Sequence, residues 1–370
     1  MQPSKTFCRL LDNGLVYNND NTHFTVSPCC YFSKSYRIDH DQDPVTQLAE
    51  HKKTWLAENY NETCRQCLDV EQAGGHSYRQ ASFEITPGIS DNIENLTVAV
   101  TKKCNLACAS CGPESSSFWY QENQRNHVAQ SLAIHNLHAE DRQGQITQRF
   151  VSLLDNQDLS NLTYVKFGGG EPLMNDTHTS VLERIPCPEQ VTLQYTSNFS
   201  IMPSARTLEL WSKFRLVKRV ASLDGTGNQF ELLRWPYKWT ALEHFVDRAL
   251  HTVPGNVIFG VEHTINPLNV FYFDQFQSWF DHKFSKNLSG DATDLNIHVC
   301  YGELSLSNTP PEIRSRVHGK LGKDHIINTL LEQNPWSGST QAMVTYLDRL
   351  DQQRSTAWRS TFSEIQALYV

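Results

Sequence analysis

The sequence predicts an α/β fold built on a parallel sheet, and three observations lead there. Six short apolar, β-rich runs recur at residues 96–100, 163–167, 191–197, 217–223, 256–263 and 295–300. Helix-like segments at 145–159, 204–214, 240–251 and 271–284 lie between most of them, with apolar residues at mixed three and four spacings. The groups with the strongest chemical signature follow the ends of the runs, so pattern and motifs agree. Strands alternating with helices are joined by right-handed crossovers into a parallel sheet.

Residues 1–95 stand outside this alternation. FCRLLDNGLVYNNDNTHFTVSPCC reads as a hairpin of two β-rich runs around the turn signal NNDNT. Cys8 opens it, and Cys29 and Cys30 close it. A helix is expected around residues 44–59, followed by the C-x2-C pair Cys64 and Cys67. Cysteines in the order hairpin, helix, C-x2-C fit a four-thiolate site made by Cys8, Cys29, Cys64 and Cys67. Zinc or an iron–sulfur cluster would accept it, and spacing alone does not choose. Adjacent strand residues point to opposite faces, so Cys30 is the alternate to Cys29.

The core is expected over residues 96–302. Its first run leads into TKKCNLACASCGPESSS, where Cys104, Cys108 and Cys111 have the spacing C-x3-C-x2-C. Three thiolates on a tight loop can hold three irons of a 4Fe–4S cube and leave the fourth iron open. Zinc or an ordinary electron-transfer cluster would want a fourth protein ligand. The second run ends in Gly168, Gly169, Gly170, Glu171 and Pro172, the third in Ser197 and Asn198. The fourth leads into LDGTGNQFELLRW, which carries Arg234. Taken singly, these residues also fit a strand-end turn, a helix cap and a solvated arginine. Glu262 and His263 come near the end of the fifth run, as a polar contact or a core histidine. Cys300 ends the sixth, as a functional thiol or a buried small residue. Cys187, between two prolines, reads as inert.

Residues 303–370 change character again. SNTPPEIRSRVHGKLG reads as a helix started by proline. Further helices are expected at 341–349 and 355–368, with Trp336, Trp358 and Phe362 available for docking against the core.

Composition sets outer bounds. The 370 residues are 39% hydrophobic and 11% aromatic, enough for a substantial core in one large domain or two to three smaller ones. A net charge of −8 without a long basic run argues against a dedicated nucleic-acid binder. No stretch approaches the roughly 18 apolar residues of a membrane helix, and MQPSKTFCRLLDNG has no apolar signal region, so a cytoplasmic protein is expected. Ten cysteines in that compartment suggest metal or redox chemistry rather than disulfides.

The cysteine triplet, Gly-Gly-Glu-Pro, YTSNFS and VASLDGTGNQFELLRW, in this order, resemble the radical S-adenosylmethionine (SAM) superfamily over roughly residues 96–300. The N-terminal cysteines, CLDVEQAGGHSYRQ and the GPESSS after the triplet resemble the branch whose auxiliary-cluster (twitch, SPASM-like) module precedes the core. The resemblance implies a partial (β/α)6 TIM-like barrel with an N-terminal hairpin-plus-helix iron–sulfur module and a helical C-terminal segment. Its active site would lie at the C-terminal strand ends. It further implies two 4Fe–4S clusters, one at Cys104, Cys108 and Cys111 and an auxiliary one. SAM would be held by Gly168, Gly169, Gly170, Glu171, Ser197, Asn198 and Arg234. Glu171 would accept from its ammonium and Arg234 would clamp its carboxylate. One departure is visible: the family's aromatic residue before the third cysteine is Ser110 here.

The implied activity is reductive cleavage of SAM to a 5′-deoxyadenosyl radical, which takes a hydrogen atom from substrate. A flavodoxin- or ferredoxin-type reductant would supply the electron. The expected reaction modifies a ribosomally made peptide by crosslinking, dehydrogenation or epimerisation; where it ends by reducing a carbon radical, Cys300 would be the hydrogen donor. A dehydrogenase or isomerase of a small metabolite is the alternative within catalysis. An iron–sulfur adaptor is the alternative outside it.

Overall fold

A computed structural model of the chain describes residues 8–19, 24–30, 32, 36–38, 45, 46, 48, 64–72, 77–85, 93–142, 144–284, 295–322 and 324–369. Among them, nine strands form one sheet: β1 (Gly14–Asn19), β2 (Phe24–Ser27), β3 (Tyr36–Ile38), β4 (Asn95–Ala99), β5 (Tyr164–Phe167), β6 (Thr192–Ser197), β7 (Leu216–Ser222), β8 (Val257–Ile265) and β9 (Leu295–Val299). The spatial order is β3-β2-β1-β4-β5-β6-β7-β8-β9. Strands β4 to β9 are parallel and sequential, and each lies within two residues of an expected run.

That order never reverses, so right-handed crossovers put the connecting helices on one side of the sheet. Side chains alternate accordingly. Val98, Phe167, Tyr195, Arg219 and Phe259 share one row of the ladder, and all are buried. Phe167 stacks on Tyr195 at 4.8 Å, and Tyr195 meets Trp211 of the helix Ala205–Trp211 at 5.0 Å. The neighbouring row, Thr97, Lys166, Gln194 and Lys218, faces the other way and is polar. One face of the sheet is therefore aromatic and apolar core, while the opposite one mixes polar residues with buried Thr97, Tyr164, Thr192 and Val220.

The helices Trp239–His251 and Phe273–Phe284 match their expected spans within two residues. Gln145–Leu154 and Ala205–Trp211 stop short of theirs. Between β4 and β5 lie two helices that apolar periodicity did not reveal, Ser117–Arg125 and Leu132–Arg142, both with negative mean hydropathy.

The N-terminal hairpin is part of the same sheet, because β1 pairs antiparallel with β2 and parallel with β4. The first expected strand is corrected at its start, where Arg9–Asn13 form a helix. The chain turns from helix to strand at Gly14, where a Cβ would meet Pro28 O at 2.2 Å and Leu10 O at 2.6 Å. Most of the NNDNT turn lies outside the described residues. So does the helix expected at 44–59, apart from helical Val45, Thr46 and Leu48. Cys64 and Cys67 sit at the start of the helix Arg65–Gln72, with the Cys67 amide donating to Cys64 O at 3.1 Å.

At the C-terminus, Pro311–Leu321 is the helix expected from its prolines. The next expected helix is longer, Gln341–Arg354, and ends at Ser355 in the left-handed region with φ 54°. The single helix expected at 355–368 is broken into the turn Trp358–Thr361 and the 3-10 turn Gln366–Leu368. The cause is Asp351, whose carboxylate accepts from Thr356 Oγ1 at 2.6 Å and the Trp358 amide at 2.8 Å, folding the chain back. Trp358 and Phe362 are fully buried and Trp336 half-buried. No described helix is long and apolar enough to cross a membrane.

This segment is fastened by a buried ion pair. Arg354 donates to both Glu122 oxygens, at 3.0 and 2.7 Å, and its guanidinium lies 4.6 Å from the Trp119 ring centroid. Removing one partner strands a charge away from water, which costs about 3–5 kcal/mol. Arg354→Met is therefore expected to lower the urea midpoint sharply. The double variant Glu122→Leu/Arg354→Met should recover most of that loss. Equal midpoints for wild type and the single variant would show that the pair contributes nothing.

Candidate active site at the strand ends

The loop after β4 carries Cys104, Cys108 and Cys111 without regular secondary structure of its own. Its backbone groups are satisfied from elsewhere. The Ala107 amide donates to Trp235 O at 2.7 Å and the Ala109 amide to Leu233 O at 2.8 Å. Trp119 Nε1 donates to Cys108 O at 2.8 Å, and Tyr346 Oη to Ala109 O at 2.7 Å. Ser116 caps the helix Ser117–Arg125, accepting from the Phe118 and Trp119 amides, while its hydroxyl donates to Leu106 O at 2.6 Å. Tyr346 belongs to the C-terminal segment, so that segment reaches the cysteine loop directly.

The three thiols differ in environment. A hydrogen bond from Cys111 lowers Cys108 to about 7 against burial, and the charge of Arg234 works the same way. Burial pushes Cys104 up to about 12. Cys111 is raised by the Cys108 interaction and by burial. Among the described residues no three His, Cys, Asp or Glu side chains converge as ligands of a single metal ion. Thiolates of a cube bind separate irons and need not converge.

The loop after β5 lies along the cysteine loop. Gly169 (φ 74°) and Gly170 (φ 56°) are in the left-handed region that glycine tolerates. A Cβ on Gly170 would sit 2.3 Å from Lys103 O, and one on Gly169 3.0 Å from Ala99 O and Thr101 O. The Glu171 amide donates to Lys103 O at 2.7 Å. Two of the three glycines are thus required by contact with the cysteine loop itself. Gly168 is different: a Cβ there would meet nothing within 4 Å.

Glu171 is fully buried. Its carboxylate accepts from the Asn198 amide at 2.7 Å, Ser197 Oγ at 3.0 Å and the Leu173 amide at 3.3 Å, joining the ends of β5 and β6. Burial pushes its pKa up, and these donors oppose the rise. A carboxylate has about four lone-pair sites, so one more donor fits. Asn198 Nδ2 donates to Asn105 Oδ1 at 3.0 Å and stands 3.8 Å from Cys104 Sγ.

Arg234 is buried, not a solvated surface residue. Its Nε is 2.6 Å from Asp224 Oδ2, and its Nη1 is 3.8 Å from Cys108 Sγ. Asp224 was not among the residues singled out from sequence. It follows β7 directly, is buried, and accepts from the Thr264 amide at 2.9 Å. Its only sequence signal is an acid at a strand end before Gly225.

Cys300 is buried just past β9, its amide donating to Ile265 O at 2.9 Å. Burial, then the Asp224 charge, push its thiol up to about 12. His263 is buried against Phe276, with ring centroids 4.2 Å apart, and is the core histidine of the two readings. Burial holds it at about 4, uncharged at neutral pH. Glu262, its neighbour, faces the other side of the sheet. Cys187 precedes β6, at the opposite end of the sheet from these groups.

A second cysteine cluster lies in the N-terminal region. Cys8, Cys29, Cys64 and Cys67 line one cavity with Phe32 and Arg79; Cys30 is not in its wall. Burial raises Cys8 to about 11 and also raises Cys67. Arg79 is fixed by Glu71 at 2.6 Å.

No family model matches the chain, and no curated protein matches it. Among solved structures, it is similar to native anSMEcpe with bound AdoMet at 15% identity over 66% of this chain and 63% of that one, TM-score 0.40. It is similar to anSMEcpe with AdoMet and Cp18Cys peptide at 15% over 66% and 62%, TM-score 0.39. Streptococcus suis SuiB bound to precursor peptide SuiA is similar at 12% over 92% and 74%, TM-score 0.37. The chain spans less than two thirds of the anSMEcpe chains' length. Likeness at this level bears on neither ligand nor reaction.

The glycines give a direct test of the loop geometry. Gly170→Ala forces a Cβ into Lys103 O in a backbone region costing about 1–3 kcal/mol for other residues. Gly168→Ala adds a methyl into open space. Thermal denaturation should show a clear fall in Tm for the first and little change for the second. Equal shifts would mean the two loops are not packed in this way.

Proposed function

We propose that this chain is a radical SAM enzyme that modifies a peptide, built as a partial barrel whose strand ends hold the reactive centre. The observation that carries the reading is the joining of three strand-end loops around the cysteine triplet. The loop after β5 packs on it through Gly169 and Gly170. Asn198, after β6, stands at Cys104. Asp224 and Arg234, after β7, stand at Cys108.

The donor set fits a 4Fe–4S cube. Cys104, Cys108 and Cys111 are three free thiols on one loop, with Cys108 lowered by its hydrogen bond from Cys111 and by the charge of Arg234. Cys8, Cys29, Cys64 and Cys67 around one cavity fit an auxiliary cluster. Held there, the cube and SAM would supply the one-electron chemistry needed to remove hydrogen from an unactivated carbon.

The chain's own residues do the rest. Glu171 retains acceptor capacity for an ammonium, and the backbone at Gly168 faces open space where a ligand can approach. Ser197 and Asn198 orient Glu171. Arg234 supplies positive charge beside Cys108, and Asp224 fixes its direction. Cys300 keeps its proton well above neutral pH, so it holds the S–H form that a hydrogen-atom donor needs.

Anaerobically purified protein should carry about eight irons per chain. Changing Cys104, Cys108 and Cys111 together to Ala should leave about four and abolish 5′-deoxyadenosine formation from SAM with dithionite. Cleavage retained in that variant would sink the reading.

With one substrate in hand, Cys300→Ala should still form 5′-deoxyadenosine while product turnover stalls. Native enzyme in deuterated water should place solvent deuterium on the product. Unlabelled product with normal turnover by the variant would remove Cys300 from the chemistry.

A further inference from the structure

The sheet face that carries no crossover helices is chemically unlike the rest of the chain. Strand alternation and the ladder registers put Asn18, Thr25, Arg37, Thr97, Lys166, Gln194, Lys218, Ser222 and Glu262 on it. Its charged strand residues are three cations, Arg37, Lys166 and Lys218, and one carboxylate, Glu262, a local excess of positive charge in a chain of net charge −8. Lys102 adds another cation at its edge, with Nζ 3.0 Å from Asn18 Oδ1.

Neither Lys166 nor Lys218 has a hydrogen bond or ion pair among the described residues, though both are half-buried. Around Lys166, Tyr164 donates to Gln194, and Glu262, 3.9 Å from His298, forms no ion pair with either lysine among the described residues. Lys166 stands one residue before the end of β5. The next position on its face is Gly168, where a Cβ would meet nothing within 4 Å.

We propose that this face recognises an anion, and that the peptide substrate presents a carboxylate side chain to Lys166 and Lys218. The inference rests on the peptide reading of the site above. A half-buried ammonium without a counter-ion gains more from an incoming carboxylate than a fully solvated one does, because the local dielectric is lower. Charge complementarity of this kind selects partners more than it adds raw affinity. Glu262 lies near enough to bear on Tyr164 and, together with Lys166, on Cys30, so it would repel a second acid, and recognition is of a localised carboxylate rather than a polyanion.

The test uses reconstituted holoprotein and calorimetry. SAM is titrated first. The blocked peptide acetyl-Gly-Gly-Glu-Gly-Gly-amide, which carries one acid, is then titrated beside its glutamine counterpart, with and without SAM. The glutamate peptide should bind at least tenfold more tightly. Lys166→Gln/Lys218→Gln should erase that preference, and Lys166→Arg/Lys218→Arg should restore it, separating charge from folding. Equal affinities, or a preference that survives the glutamine variants, overturns the proposal. Failure to bind SAM counts against the radical SAM reading alone, since the peptide comparison is made in its absence as well.

Discussion

Everything at the candidate site depends on one constraint: the cysteine loop has no ladder or helix of its own to hold its peptide groups. A buried amide or carbonyl left unpaired is destabilising, so partners must come from outside. They come from distant parts of the chain. Trp235 and Leu233 follow β7, Trp119 sits in the next helix, and Tyr346 is in the C-terminal segment. The loop is rigid because separate elements close on it. This explains why a segment without chemistry of its own, residues 303–370, is fastened so firmly. Tyr346 touches the loop, and Arg354 holds the helix that follows the loop.

The same constraint changes the meaning of the glycines. From sequence, three successive glycines before an acid imply a backbone kept bare for a ligand. In the fold, Gly169 and Gly170 are bare for the sake of Ala99, Thr101 and Lys103, whose carbonyls stand where a Cβ would be. Only Gly168 faces empty space. A glycine run can serve packing and ligand approach at once, one residue at a time.

How much was legible follows from how local each signal is. The six parallel strands were readable because buried strands are short apolar runs, and their ends fall within two residues of expectation. The cysteine triplet was readable from spacing alone. What escaped notice is non-local or weakly patterned. Ser117–Arg125 is a helix with four buried residues but a polar composition, so no apolar stripe announces it. Asp224 becomes meaningful only when Arg234 comes within 2.6 Å across a turn and a helix. The N-terminal hairpin was visible as a hairpin, but its parallel pairing with β4 was not, because nothing in either strand encodes its neighbour. Cys29, the first choice from sequence, lies in the same cavity wall as Cys8, Cys64 and Cys67.

Arg219 shows how the two faces of the sheet serve one end. It occupies the core row of β7, fully buried, with its guanidinium 4.6 Å from the Phe199 ring centroid and 5.6 Å from that of Phe245. Its three nitrogens have no hydrogen-bond partner among the described residues. Burial lowers its pKa to about 10, so it remains a cation at neutral pH. Aromatic faces stabilise a cation without offering it an acceptor oxygen. The charge therefore acts at a distance, and one group it acts on is Glu171, whose ionised form it favours against burial. An arginine in direct contact would occupy the carboxylate oxygens. An arginine held in an aromatic setting supplies only its field, leaving those oxygens to Asn198, Ser197, Leu173 and a ligand. The buried cation thus works with the Asn198, Leu173 and Ser197 donors against the burial that raises Glu171, the donors first and its field after them.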